Sequence, residues 1–79
     1  MRQSIDHGMD DHPEGDDDRL PTAWAVAVAD DCDHCGDQRV VLTLEEKGRP
    51  GTGTVAHLSI EGARLLGAAL ETARRQLGG

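Results

Sequence analysis

The side chains best suited to chemistry lie in one acidic segment, residues 30–37. Cys32 and Cys35 are separated there by two residues, and Gly36 follows the second cysteine. This spacing allows both sulfur atoms to face one point, and the glycine lets backbone amides approach the thiolates. Because thiolate sulfur is a preferred donor for zinc, the segment predicts half of a tetrahedral zinc site.

The motif resembles one knuckle of a zinc ribbon or of rubredoxin. Those families carry two knuckles, whereas this chain has only two cysteines, so the resemblance implies two ligands out of four. His34 lies between the cysteines, where folding back onto the same ion is awkward, and His57, His7 and His12 are the other candidates. A symmetric dimer offers another route, because two cysteines from each copy would form a Cys₄ site. The predicted metal ligands are Cys32, Cys35, His34 and His57.

Two other interpretations of the segment stay open. The first is an acidic hairpin loop that contains two free thiols without a metal. The second is thiol–disulfide exchange, which in the thioredoxin family depends on a helix amino terminus that lowers the pKa of the first cysteine. Here the motif lies between two predicted strands, and the surrounding aspartates are expected to raise a thiol pKa. Thiol–disulfide exchange is therefore the least favoured of the three.

Catalysis by other routes has no support in the residue pattern. The only serines are Ser4 and Ser59, so no Ser-His-Asp constellation can be argued. The glycine-rich segment 48–53 lacks the Gly-Lys-Ser/Thr ending of a phosphate-binding loop. A chain of 79 residues is also too short to enclose an ordinary substrate pocket. We therefore predict a protein that is not an enzyme.

Three strands and one helix are predicted to position the cysteines. Alternating apolar residues predict strands over residues 23–29, 39–45 and, more weakly, 52–57. Apolar residues at three- and four-residue spacing predict a helix over about residues 60–77, with Ser59 as its N-cap. The predicted fold class is α+β, a three-stranded antiparallel meander with one C-terminal helix packed on one face.

The beginning of the chain differs from the rest in composition. Its first 18 residues hold seven acidic side chains, one basic side chain and few large apolar ones. Such a segment buries too little surface to offset its ordering entropy. We predict a disordered acidic tail over residues 1–20 and a small domain over residues 21–79. The net charge of −7 lies mostly in this tail, and the near-neutral domain argues against direct nucleic-acid binding.

The core predicted from these elements is small, with Trp24 as its only aromatic side chain. Folds below about 70–80 residues usually need a metal, a disulfide or a partner subunit. The helix is expected to cover the sheet face that carries Trp24, which leaves the alanine-rich face without a cover. An exposed apolar sheet face often marks an interface. The predicted interface residues are Ala23, Ala25, Ala27, Val41, Thr43 and Val55.

The predicted function is a small acidic interaction or regulatory module, acting as a homodimer or bound to a larger protein partner. One alternative is a zinc-stapled domain built on Cys32 and Cys35, and another is an accessory subunit of an enzyme complex. Zinc is the one candidate cofactor. No apolar run approaches the ~20 residues of a membrane span, and no signal peptide is visible. The expected location is the cytoplasm.

Overall fold

The computed structural model describes residues 1–11, 21–47, 51 and 53–78. Strands and one helix follow each other as β1 (Arg2–Met9), β2 (Thr22–Ala29), β3 (Arg39–Glu46), β4 (Thr54–Leu58) and α1 (Ile60–Gln76). The strands form one antiparallel sheet in the order β1-β2-β3-β4. The α+β class and the antiparallel meander are therefore as predicted.

The sheet has four strands rather than the predicted three, because β1 pairs with β2. The disordered tail predicted over residues 1–20 is thus a strand over much of its first half, and residues 12–20 lie outside the described residues. Low apolar content led to that prediction, but an edge strand is held by backbone hydrogen bonds to its neighbour. Gly8 contributes space, since a Cβ atom there would come within 2.7 Å of the Trp24 ring.

Strand alternation gives the sheet two faces, which we name by their characteristic residues. The alanine face carries Ala23, Ala25, Ala27, Ala29, Val41, Thr43, Val55 and His57. The tryptophan face carries Trp24, Val26, Val28, Val40, Leu42, Leu44 and Leu58. Both faces are apolar, so the elements that cover them decide where the core forms.

The core lies on the alanine face, contrary to the prediction that the tryptophan face would hold it. Ala27, Ala29 and Val41 are the buried residues of the described chain, and Val41 is only 4% exposed. The cysteine loop (residues 30–38) turns back over the end of this face, where Cys35 contacts His57. Because His57 is the cross-strand neighbour of Val41, this return brings the loop close to the buried residues.

Helix α1 begins beside the tryptophan face but does not cover it. Ser59 accepts a hydrogen bond from the Gly62 N–H at 3.0 Å, which confirms the predicted N-cap. Gly62 lies beside Leu58, yet α1 buries none of its residues, and Leu70 is 64% exposed. The radius of gyration, 14.5 Å, exceeds the ~12 Å typical of a compact chain of this length.

The predicted bounds of the helix are therefore confirmed, whereas its predicted packing across one face is wrong. Contact with the sheet is limited to β3 and β4, and the apolar stripe of α1 points largely into solvent. In the described part of the chain, no helix combines the length and the apolar content needed to cross a membrane.

Candidate metal centre

Three of the four predicted metal ligands come together at the alanine face: Cys32, Cys35 and His57. Their donor atoms all lie within 4.8 Å of one another, and Cys35 Sγ is 3.4 Å from His57 Nδ1. Both cysteines are half-buried and the histidine is exposed. This group, the candidate metal centre, joins the cysteine loop to β4.

A tight turn in the cysteine loop brings the two cysteines together. The Gly36 N–H donates a hydrogen bond to the Cys32 carbonyl oxygen at 3.3 Å. Gly36 has a φ angle of 63°, a left-handed conformation that glycine adopts without a steric penalty. Gly36 thus closes the turn, whereas the backbone amides that approach a thiol are those of Cys35 and His34, both at Cys32.

The register between β3 and β4 supplies the third donor. His57 lies opposite Val41 in that register, and the alternation of side chains places it on the alanine face. The cysteine loop leads directly into β3 at Arg39, two residues before Val41. Loop and histidine therefore meet because the chain returns over the same face on which the register places His57.

The two thiols are affected in opposite directions by their surroundings. The backbone N–H of Cys35, the Cys35 thiol and the backbone N–H of His34 hydrogen-bond to the Cys32 sulfur and lower the pKa of Cys32, against an opposing effect of Asp33. The hydrogen bond with Cys32, together with burial, raises the pKa of Cys35, whereas the nearby Arg39 lowers it. Asp33 raises the pKa of Cys32 as expected, but the hydrogen-bond donors outweigh this effect, so the net shift of the Cys32 pKa is downward.

The start of β1 compensates part of the acidic charge of the loop. The amino group of Met1 is paired with the Asp30 carboxylate, and this contact lowers the pKa of Asp30. Arg2 Nη1 lies 3.6 Å from Asp31 Oδ2. Sequence reasoning did not identify these cations as neighbours of the cysteine loop, since it treated residues 1–20 as disordered.

His34, the fourth predicted ligand, is exposed and does not belong to the group. His7 also lies on β1 outside the group, opposite Ala25. Arg39, which no motif had singled out, is the cation that acts on Cys35. The only sequence signal for it was its position at the junction between the cysteine loop and a predicted strand.

The predicted interface residues lie together on the alanine face, but they differ in accessibility. Ala27 and Val41 are already buried by the chain itself, whereas Val55 is 51% exposed. Ala23, Ala25 and Thr43 are half-buried. Their role in an interface stays a prediction.

The geometry of the candidate metal centre suits a tetrahedral zinc ion. With Zn–S of ~2.3 Å and Zn–N of ~2.0–2.1 Å, tetrahedral angles place a sulfur and a nitrogen ligand about 3.6 Å apart. The distance of 3.4 Å between Cys35 Sγ and His57 Nδ1 is close to this value. Thiolate and imidazole donors favour zinc or copper(I) over magnesium or calcium. The three side chains can therefore hold a metal ion.

No protein-family model, curated protein or solved structure matches this chain. Fold and side chains define a small α+β protein with a candidate metal centre that links a loop to a strand. The proposed function therefore rests on the chemistry of these side chains.

Proposed function

We propose that this chain is a small zinc-binding domain, in which Cys32, Cys35 and His57 hold Zn²⁺ and fasten the cysteine loop to β4. One observation carries the proposal: the sulfur atoms of the neighbouring Cys32 and Cys35 and a ring nitrogen of the distant His57 lie within 4.8 Å of one another. The contact between Cys35 and His57 spans 22 positions of sequence. A metal ion at this point would act as a cross-link between loop and sheet.

The small core gives such a cross-link a physical purpose. Apolar burial in the described chain is limited to two alanines and Val41, and α1 buries none of its residues. Chains of this size usually need an additional source of stability. Zinc binding supplies it, since the free energy of binding to a site formed only on folding also stabilises the fold.

The proposal is non-enzymatic. Two thiolates cancel the charge of Zn²⁺, so a water molecule on the ion would be less acidified than on a zinc held by neutral ligands. Asp33 acts on the Cys32 sulfur with further negative charge, which opposes ionisation of a bound water in the same way. These charges favour a structural or binding role over the generation of a hydroxide nucleophile.

Metal analysis of the full chain tests this proposal. We expect one zinc ion per chain after loading and removal of excess metal, and its loss in the variants C32S, C35S and H57Q. The variant H34A is the matched control, because it removes an exposed imidazole from the same loop. A stoichiometry near zero, or equal loss of zinc in H34A and C35S, would contradict the proposal.

A second candidate function is a protein-interaction module, acting as a homodimer or on a larger partner. The observation that favours it is the exposed apolar stripe of α1, with Leu66 37%, Leu70 64% and Leu77 89% exposed. Contiguous apolar surface of this kind often marks a protein interface. The net charge of −7 would steer the chain towards a basic partner.

Sedimentation velocity over a range of protein concentrations tests this second function. We expect self-association that is weakened by L70D but not by A68D, which places the same charge on the opposite side of the helix. Both positions are exposed in the single chain, so neither variant should unfold it. A wild-type chain that stays monomeric would exclude the homodimer. Equal effects of L70D and A68D would exclude the stripe as the contact surface.

A further inference from the structure

We propose that the metal in this centre is completed by an external ligand, and that this ligand is an uncharged nitrogen donor of the imidazole class. The inference rests on the proposed zinc-binding function. It goes further in assigning both a second binding partner and the chemistry by which that partner is recognised. Three observations support it: the number of donors, their accessibility and the charges around them.

The described residues supply three donors, whereas zinc takes four. The donor group consists of Cys32, Cys35 and His57, and no other histidine or carboxylate of the described chain joins it. His34 and Asp33 lie between the two cysteines but outside the group. Zinc held by three protein ligands takes its fourth ligand from water or from a binding partner.

The centre is accessible to such a ligand. His57 is exposed, and Cys32 and Cys35 are only half-buried. The neighbouring loop residues Asp33 and Gly36 are exposed as well. A small molecule or a projecting side chain can therefore approach the metal without any rearrangement of the sheet.

The charges around the centre select against an anionic ligand. Zinc with two thiolates and a neutral imidazole has no net charge, so an anion would leave the centre negative. Asp30 and Asp31 are compensated by Met1 and Arg2, but Asp33, which directly follows Cys32 and is exposed, adds a negative charge beside the centre.

Two further charged side chains, Asp37 and Arg39, affect the net charge around the centre. Among the described residues, the Asp37 carboxylate accepts a hydrogen bond from a neutral donor, the backbone N–H of Gln38 at 2.8 Å. Arg39 is the cation that acts on Cys35, and it offsets one of the two remaining aspartates. A neutral nitrogen donor adds no charge to this surrounding, and imidazole also matches the ligand preference of zinc.

Cobalt spectroscopy on the full chain tests the inference. Co²⁺ replaces zinc in such sites and has visible absorption bands that respond to a change of ligand. We would titrate the cobalt-loaded chain with imidazole and, separately, with azide as the anionic probe. We expect a saturable spectral change with imidazole at concentrations several-fold below those needed for azide.

A variant isolates the effect of charge from the intrinsic preference of cobalt. In the double variant D33N/D37N, azide affinity should rise by about two- to fivefold per carboxylate removed, while imidazole affinity stays nearly constant. The matched control is D6N, which removes a carboxylate on the tryptophan-face side of β1. A ratio of the two affinities that is the same in all three proteins would overturn the proposed selectivity.

The remaining outcomes separate the inference from the function on which it rests. Cobalt that binds through Cys32 but does not respond to either probe would show a closed centre, and it would overturn only the inference. Failure to bind cobalt or zinc would overturn both proposals. Spectra at several protein concentrations distinguish the sources of imidazole, because a histidine from a second copy makes the spectrum depend on concentration.

Discussion

The candidate metal centre and helix α1 are held in different ways. The centre joins two distant segments beside Val41, which is 4% exposed. The helix instead depends on local interactions: the Ser59 cap, the Glu61–Arg64 pair and the Glu71–Arg74 pair. The candidate metal centre is thus built from contacts between distant segments, whereas helix α1 is built from contacts within about one helical turn.

This difference indicates where the stability of the molecule resides. Exposed ion pairs contribute about 0–1 kcal/mol each, and an N-cap contributes about 1 kcal/mol. Such interactions define a helix but do not hold it against a sheet. Changes at the sheet and the cysteine loop should therefore affect the unfolding of the whole chain, whereas changes on α1 should have smaller and more local effects.

Zinc should produce the largest change, and it acts at the candidate metal centre, which joins the cysteine loop to β4. At free zinc about 100 times the dissociation constant, the free energy of unfolding should rise by about 2.7 kcal/mol, because the ion binds only the folded site. Urea unfolding at pH 7, with zinc or with a chelator, measures this shift. The double variant C32S/C35S should show no shift. An equal shift in that variant would mean that zinc stabilises the chain elsewhere.

Deletion of side-chain atoms compares the sheet with the helix directly. V41A removes two buried methyl groups and should lower the free energy of unfolding by about 1–2 kcal/mol. L70A removes more atoms, but from a side chain that is 64% exposed, so it should cost less than V41A. Urea unfolding at low protein concentration, followed by Trp24 fluorescence, measures both. A greater loss of unfolding free energy in L70A than in V41A would show that helix α1 contributes more to the core than the sheet does.

Replacement of glycine by alanine tests whether α1 lacks packing contacts along its length. A Cβ atom at Gly67 would meet nothing within 4 Å, so G67A should stabilise the helix by about 0.5–1 kcal/mol through its higher helix propensity. In G62A the new atom would lie 3.4 Å from Ser59 Oγ, and the gain should be smaller. Thermal unfolding by circular dichroism compares the two. Destabilisation by G67A would reveal a surface packed against that position.

Alkylation of the zinc-free chain should distinguish the two thiols. The thiolate is the reactive form, and the pKa of Cys32 is lowered while that of Cys35 is raised. As pH increases, Cys32 should therefore react first, and the preference should disappear once both thiols are ionised. Iodoacetamide labelling with peptide mass mapping measures the ratio.

The variant C35S sharpens this comparison at the cysteine loop. It removes the Cys35 thiol but keeps the backbone N–H that is the main cause of the lowered pKa of Cys32. The reaction of Cys32 should therefore still begin at lower pH than that of an ordinary thiol. Faster modification of Cys35 than of Cys32 in the wild-type chain would contradict the proposed hydrogen bonding.

Much of the fold could be predicted because its signals are local. Strand alternation located β2, β3 and β4, and the spacing of leucines with the Ser59 cap located α1. The first strand was missed, since Arg2–Met9 has the composition of a solvated segment. Its pairing depends on a free edge of β2 and on the space that Gly8 leaves beneath Trp24.

The candidate metal centre was predictable only in part. The spacing of Cys32 and Cys35 indicated two donors, but it did not distinguish His34 from His57 as the third. That choice follows from the register of β3 with β4 and from the direction in which the cysteine loop turns. The same turn places the core on the alanine face, which no residue pattern had favoured.

Composition and periodicity alone specify the cysteine pair, most of the strands and both ends of the helix, because these depend on neighbours within a few positions. Folding in three dimensions selects His57 as the partner of the cysteines, brings Arg2 towards the acidic loop and leaves the leucines of α1 exposed. Each of these outcomes depends on which face or edge of the sheet is shared by segments that are distant in sequence. The alternation of side chains along a strand does not by itself distinguish the two faces.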